Sequence, residues 1–487
     1  MTELLFESAS QLAARIRRRE LGSRELLDLY LGQVEKRNPA LNAIVTLDAE
    51  RARARAAQAD AAATRGEWWG PLHGLPITVK DTLETAGLRT TAGYPALAEH
   101  VPVTNADAVE RCRAAGAVVF GKTNTPLLAG DWQSYNPVFG TTNNPWDPTR
   151  TPGGSSGGSA AALAAGMTAF EIGSDIAGSI RVPAHWCGVY GHKPTHGIVP
   201  VRGHIPGPPG CLAATDLSVV GPLARSAADL DLLLGVMAGP PADRAVAWSL
   251  ALPPPRHASL GEFRVAAWLD DRDFPVDAEV RQALERAVEA LRSAGVRVDD
   301  AARPALGLPD AVRVYEALLW PILLTGYPPE IFERMAAHAA AHPDDPSPFG
   351  RMARHGSSRH REWIIANEFR EQLRAKCAAF FREYDVLLMP VNQVPAIRHD
   401  HAEPMTARVI GVNGQSLPYY DLMGWISLAT LSHHPATAAP IGCTQGGLPI
   451  GVQIVGPYLE DRTCIGFAGM MAAILEQRGL VSSQRRP

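Results

Sequence analysis

The sequence predicts an α/β fold with a mostly parallel or mixed sheet. Helix-period stretches followed by short apolar runs recur along the chain, as in folds where strands alternate with helices. Hydrophobic residues make up 46% and charged residues 20% of the 487, which supplies a large core and excludes a disordered, coiled-coil or collagen-like chain. No Pro/Gly cluster is long or polar enough to link two domains, so a single domain over residues 1–487 is expected.

The elements follow in order. The first 65 residues read as helices, including an Ala/Arg stretch from Leu47 to Gly66. Pro71–Asp81 (PLHGLPITVKD) is an apolar run behind turn residues and reads as a buried strand ending at Lys80. Asn105–Ala115 reads as a capped helix stopped by Gly116, and Ala117–Phe120 as the strand after it. Met167–Ile172 reads as a strand, and Ser155–Ala165 as a small-residue helix packed closely on a sheet. Helix then strand recurs at Asp277–Ala294 with Val296–Val298, and at Arg359–Arg382 with Asp385–Met389. His204–Gly210, Gly239–Asp243 and Leu252–His257 read as loops.

Function classes are narrowed by composition. Basic and acidic residues number 46 and 50, a formal charge of −4, which argues against a protein that binds nucleic acid by neutralising phosphates. The apolar run Ala317–Leu324, interrupted at Trp320-Pro321, is too short to span a membrane and reads as a buried element or pocket wall. The N-terminus lacks the apolar core of a signal peptide. Cys112, Cys187, Cys211, Cys377, Cys443 and Cys464 are scattered, which suits reduced thiols in a cytoplasmic protein. Only five of the 46 basic residues are lysines. Lys36 and Lys376 lie in charged helical stretches, whereas Lys80, Lys122 and Lys193 lie beside Gly/Pro punctuation, where chemistry is often found.

Three motifs compete. Gly116–Thr123 matches the spacing of a phosphate-binding loop, but the intervening AVVF favours a strand and Pro126 disturbs the helix that must follow; nucleotide binding stays an outsider. Pro152–Ser159 (PGGSSGGS) reads in isolation as a flexible linker, or as a nucleophile elbow around Ser155 or Ser156. Gly173–Pro183 (GSDIAGSIRVP) sets small residues before a serine between strand and helix, where several N–H groups can converge on one point. An ordinary structural turn is the bland alternative. His399-Asp400-His401 and His433-His434 offer no further ligand set and read as surface or loop histidines.

PLHGLPITVKD, GKTNTP, NPWDPTRTPGGSSGGSAAALAAG and GSDIAGSIRVPAHWCGVYGHKPT, in this order, resemble the amidase signature family. The likeness continues through GPLARSAADLDLLL (Gly221–Leu234) and GLPIGVQIVGPYLEDRT (Gly447–Thr463). It implies an α/β amidase signature fold, a large twisted mixed sheet with helices on both faces. Core motifs fall within 70–235 and 435–470, with a variable substrate-pocket region at about 250–423. The resemblance implies a serine hydrolase with a Ser–cis-Ser–Lys triad on Ser179, Ser155 and Lys80, and a cis peptide before Ser155. It places oxyanion donors on the backbone of Ile176, Ala177, Gly178 and Ser179. Ala177 stands where the family usually has Gly, and His192 where Leu is commoner; His192 is read as a supporting residue.

Relatives also place the loop after GKTNTP beside the acyl pocket, so Ala129, Gly130, Asp131 and Trp132 are candidate substrate contacts. Tyr315, Leu319, Trp320, Ile410 and Met423 in the variable region either complete an apolar pocket or are plain core. The expected activity is hydrolysis of an apolar or aromatic small-molecule amide or anilide, with esters and carbamates possible substrates, by a free-standing amidase. The alternative is the glutaminase subunit of a tRNA-dependent amidotransferase. No metal, cofactor, nucleic acid or membrane span is expected, and the oligomeric state, a homodimer included, is open.

Overall fold

The computed structural model describes residues 3–326, 328–482 and 486–487. The described strands are β1 (Ile44–Leu47), β2 (Pro76–Lys80), β3 (Val118–Thr123), β4 (Tyr135–Asn136), β5 (Gly140–Thr141), β6 (Glu171–Asp175), β7 (Tyr190–Lys193) and β8 (Val219–Ala224). They continue with β9 (Arg264–Ala267), β10 (Arg297–Asp299), β11 (Val386–Pro390), β12 (Val409–Val412), β13 (Gln415–Pro418), β14 (Ala436–Cys443) and β15 (Pro449–Val455). Eleven of these form one mixed sheet in the order β1-β3-β2-β6-β8-β7-β14-β15-β11-β9-β10. The pairs β4-β5 and β12-β13 are separate hairpins.

Strands β2, β6, β8, β11 and β15 are buried at every residue, the pattern of strands covered on both faces. Two apolar cores account for that cover. One gathers the N-terminal helices around Leu26 and Tyr30 with Leu230, Leu284 and Phe467; the other gathers Trp132, Trp186, Tyr315, Leu319, Tyr419 and Ile426. The α/β expectation and the large mixed sheet hold.

Register positions the site. β2 runs parallel to β6, with Thr78 opposite Glu171 and Val79 opposite Ile172. Lys80 at the end of β2 and the turn after Asp175 therefore lie at the same sheet edge, beyond the carboxyl ends of neighbouring parallel strands, where α/β folds commonly place their sites.

Three expectations need correction. The first 65 residues are not wholly helical: Asn42, in left-handed conformation, ends the helix Ser23–Leu41, and Ile44–Leu47, with three β-branched residues, pairs antiparallel with β3. The strand expected at Met167–Ile172 lies at Glu171–Asp175. Its polar residues hid it, because Glu171 is buried against the Thr78 and Thr123 hydroxyls of neighbouring strands. Thirdly, β3 extends through Gly121, Lys122 and Thr123, and Lys122 turns inward to donate to the Leu83 carbonyl and the Thr85 hydroxyl. That lysine is committed inside the protein, so Gly116–Thr123 is not shaped as a phosphate loop.

Candidate active site

The Gly/Ser string is packed, not flexible. A Cβ at Gly154 would lie 2.6 Å from the Trp132 carbonyl carbon, and one at Gly158 2.6 Å from the Asn124 carbonyl oxygen and 2.8 Å from that of Ala43. Only glycine permits these approaches, so the string and the first turn of the helix Gly157–Ala164 are pressed against the 131–133 backbone and the β3 end. The Gly154–Ser155 peptide is cis.

Lys80 is fully buried at the end of β2, and its Nζ donates to Ser155 Oγ at 2.6 Å and to Ser174 Oγ at 2.9 Å. Among the described residues it has no ion pair. Burial brings its ammonium down to about 7, against the upward pull of the Asp175 carboxylate. Ser156, the neighbouring candidate, is instead structural: its Oγ bonds the Ser174 backbone, and its N–H donates to the Ser179 carbonyl at 3.1 Å. That last bond ties the segment carrying Ser155 to the one carrying Ser179.

The turn that carries Ser179 is held from inside by Asp175. Its carboxylate accepts from the N–H groups of Gly178 at 2.9 Å, Ile180 at 3.1 Å and Arg181 at 3.3 Å. It also pairs with the Arg181 guanidinium at 2.9 Å, with both side chains fully buried. Burial alone would raise the Asp175 carboxyl; Arg181 outweighs it and holds the group at about 2. From outside, Tyr315 Oη donates to the Ile176 carbonyl at 2.7 Å and Trp132 Nε1 to the Ala177 carbonyl at 2.7 Å.

Of the expected oxyanion donors, Gly178 already donates its N–H to Asp175. Among the described residues no protein acceptor takes the N–H of Ile176, Ala177 or Ser179, and Ser179 Oγ makes no hydrogen bond within the protein.

The 129–132 loop is held in place by its own hydrogen bonds and by the variable region. Ala129 and Gly130 close a tight turn onto the Pro126 and Leu127 carbonyls. Asp131 is buried and consumed by Arg408 at 2.6 Å and by the Tyr419 hydroxyl at 2.6 Å, so its carboxylate braces the loop against the variable region. Tyr315, Leu319, Trp320, Ile410 and Met423 all sit in the apolar cluster with Trp132, against which Ile176 and Ala177 pack.

Sequence reasoning missed Ser174 and the Asp175–Arg181 pair. The parallel register of β2 and β6 was the signal that could have found Ser174. His192 bridges Thr437 Oγ1 at 2.9 Å and Asp461 Oδ1 at 3.1 Å, a structural role. His196, Asp216 and His433 offer ligand atoms within 4.8 Å of one another. Arg370 already occupies that place, 2.6 Å from Asp216 and 3.1 Å from His433, so a cation fills the role a metal would take. His401 stacks on Tyr135 at 3.7 Å rather than gathering ligands with His399. No helix among the described residues is long and apolar enough to cross a membrane.

Comparison with known proteins gives the family. The Amidase family model matches residues 25–465. The chain is 34% identical over 487 residues to a glutamyl-tRNA(Gln) amidotransferase subunit from Thermus thermophilus, covering 93% of this chain and 94% of that protein. Among solved structures it superimposes on 6-aminohexanoate cyclic dimer hydrolase with its substrate, with TM-score 0.78, 26% identity and 99% of both chains covered. It also matches a chain from a vestigial complex tied to the evolutionary origins of an s-triazine catabolic enzyme, at TM-score 0.80 and 27% identity, over 98% of this chain and 100% of that one. The protein thus belongs to the amidase signature family and is an enzyme of the class that acts on amide C–N bonds.

Proposed function

We propose that this chain hydrolyses a non-peptide carboxamide through an acyl-enzyme on Ser179, with Ser155 and Lys80 as its proton relay. The observation that carries the proposal is the buried Lys80 Nζ, free of any ion pair among the described residues and 2.6 Å from Ser155 Oγ. A lysine titrating near 7 is neutral in useful amount at physiological pH, which an arginine there would never be. Neutral Lys80 takes the Ser155 proton, Ser155 takes that of Ser179, and Ser179 Oγ bonds to the carbonyl carbon. The proton returns along the same path to the amide nitrogen, the C–N bond breaks and the amine leaves. Water then adds to the acyl carbon through the same relay, and Ser179 departs with its proton restored. The free N–H groups of Ile176, Ala177 and Ser179 are the donors for the negative oxygen formed in each step.

Two substrate readings follow. The relatives of about one-third identity, named as an amidotransferase subunit, favour glutamine as the amide, ammonia as the leaving group and partner subunits that work on tRNA. They support that alternative better than a free-standing amidase. The specific observation on the other side is the apolar wall of Trp132, Trp320 and Tyr420 beside the Ile176–Ala177 turn, which suits an aromatic or aliphatic amide. Assaying the chain purified from its native cell separates the two. Ammonia release from glutamine with copurifying partner subunits supports the amidotransferase reading. Turnover of anilides by the isolated chain, with none of glutamine, overturns it. Loss of all turnover in Ser179→Ala supports the shared mechanism; retained turnover overturns it.

A further inference from the structure

We propose that Tyr315, and to a lesser degree Trp132, are positioning residues that aim the backbone amides of the turn carrying Ser179, which makes the helix Leu308–Leu323 a determinant of the chemical step. The proposal rests on the acyl-enzyme reading above. In a trans peptide the C=O and N–H point in opposite directions. A donor that holds the Ile176 carbonyl therefore fixes the direction of the Ala177 N–H, and one that holds the Ala177 carbonyl fixes that of Gly178. Tyr315 Oη makes the first bond and Trp132 Nε1 the second, each at 2.7 Å.

The two bonds are not equivalent. The peptide between Ala177 and Gly178 is anchored at both ends, because the Gly178 N–H also donates to Asp175 at 2.9 Å. The peptide between Ile176 and Ala177 is anchored only at its carbonyl, since no protein group among those described accepts the Ala177 N–H. Its aim depends on one hydroxyl. Burial, with the Asp175 carboxylate nearby, keeps the Tyr315 phenol protonated well beyond its ordinary range, so that donor persists at any working pH.

These donors belong to one wall. Trp132 meets Tyr419 edge-on at 5.3 Å and Tyr420 at 5.8 Å, and Tyr420 meets Trp320 at 5.4 Å, on the same helix as Tyr315. A group on this helix can thus affect turnover without touching the substrate. Misaim of a catalytic donor by an ångström costs roughly a hundredfold in rate, and a loosened one costs less.

The test uses an alkyl fluorophosphonate, which needs no known substrate. Ser179 Oγ bonds to phosphorus, the P–F bond breaks, fluoride leaves and the proton passes to the relay. The developing negative oxygen is the same demand that an amide makes on the turn. Inactivation rates are resolved into kinact and KI for the wild type, Tyr315→Phe, Trp132→Phe and Val314→Ala, on protein with unchanged far-UV spectra. Val314→Ala shortens a neighbouring buried side chain and removes no hydrogen bond, so it reports simple destabilisation. The expected result is a fall in kinact of roughly tenfold for Tyr315→Phe with KI within about twofold. Trp132→Phe should lose less, Val314→Ala should lower only the thermal midpoint, and the pH midpoint near 7 should persist throughout. An unchanged kinact in Tyr315→Phe, a change in KI alone, or a larger loss in Trp132→Phe overturns the positioning role. Wild-type protein unlabelled at Ser179 overturns this inference together with the acyl-enzyme reading, whereas labelled wild type with an unaffected Tyr315→Phe overturns this inference alone.

Discussion

A lysine serves as a base only when its surroundings make the ammonium form costly, and Lys80 meets that condition by burial between two serine hydroxyls. Activity should therefore rise with pH along a limb centred near 7, measured as kcat/KM against a saturable amide. A flat profile between pH 6 and 8 would contradict a titrating Lys80. Lys80→Ala should lose roughly 10²–10⁴-fold in kcat, the usual worth of a general base, and Lys80→Arg should fare no better because it stays protonated. The three candidate catalytic side chains are legible in the sequence because each sits inside a long motif. Ser174, Asp175 and Arg181 were not, because their roles come from contacts that form only when β2 and β6 align and the following turn closes on itself. Gly178 shows the same limit. A backbone N–H can be named from a motif, but its acceptor, here Asp175 Oδ1, is set by the fold.

Short segments with unusual composition were where elements were misjudged. β6 carries Glu171, Ser174 and Asp175, so the apolar signal stops at its second residue, Ile172, and the strand is placed by its pairing with β2 and β8. β1 hides after a long helix because four residues at a sheet edge leave little periodicity. The PGGSSGGS string looks like a linker for the same reason it is not one: glycine is required wherever two backbones nearly touch. Gly158→Ala tests this at the level of the helix Gly157–Ala164. Its Cβ would meet the Asn124 and Ala43 backbones, which cannot rotate away, so a loss of about 1–3 kcal/mol or more is expected. A thermal midpoint equal to that of the wild type would contradict the close packing. Longer elements were more legible. The helix expected at Asp277–Ala294 is observed at Ala278–Ser293, and the one at Arg359–Arg382 at His360–Glu383, because a sustained apolar stripe and end signals leave little freedom.

Across the whole molecule, three of the five lysines are sealed inside: Lys80, Lys122 and Lys193. Burial lowers them to about 7, 8 and 7, whereas the unfolded chain keeps them protonated to near 10.5. Between pH 7 and 8.5 the unfolded state thus binds more protons at these sites than the folded state, and stability rises with pH. The buried carboxyls of Glu171, Asp81 and Asp421 and the buried thiols of Cys112, Cys187, Cys377 and Cys464, all raised by burial, act in the opposite direction, but over this interval they exchange fewer protons than the three lysines. The thermal midpoint should accordingly be higher at pH 8.5 than at pH 7, and a lower one would contradict uncharged buried lysines. The overall architecture was legible because its strands and helices alternate over the whole chain. The pocket was not, since the order β7-β14-β15-β11 brings distant segments together, and the apolar residues of 308–323 and 409–431 look alike whether they line a site or fill a core. The central claim, that Ser179 is a nucleophile activated through Ser155 and Lys80, is tested most directly by a peptide mass map of the folded chain after fluorophosphonate treatment. A single adduct on Ser179, lost in Lys80→Ala, is the predicted result. An adduct on Ser155 or Ser156, or Ser179 labelled equally well without Lys80, would contradict it.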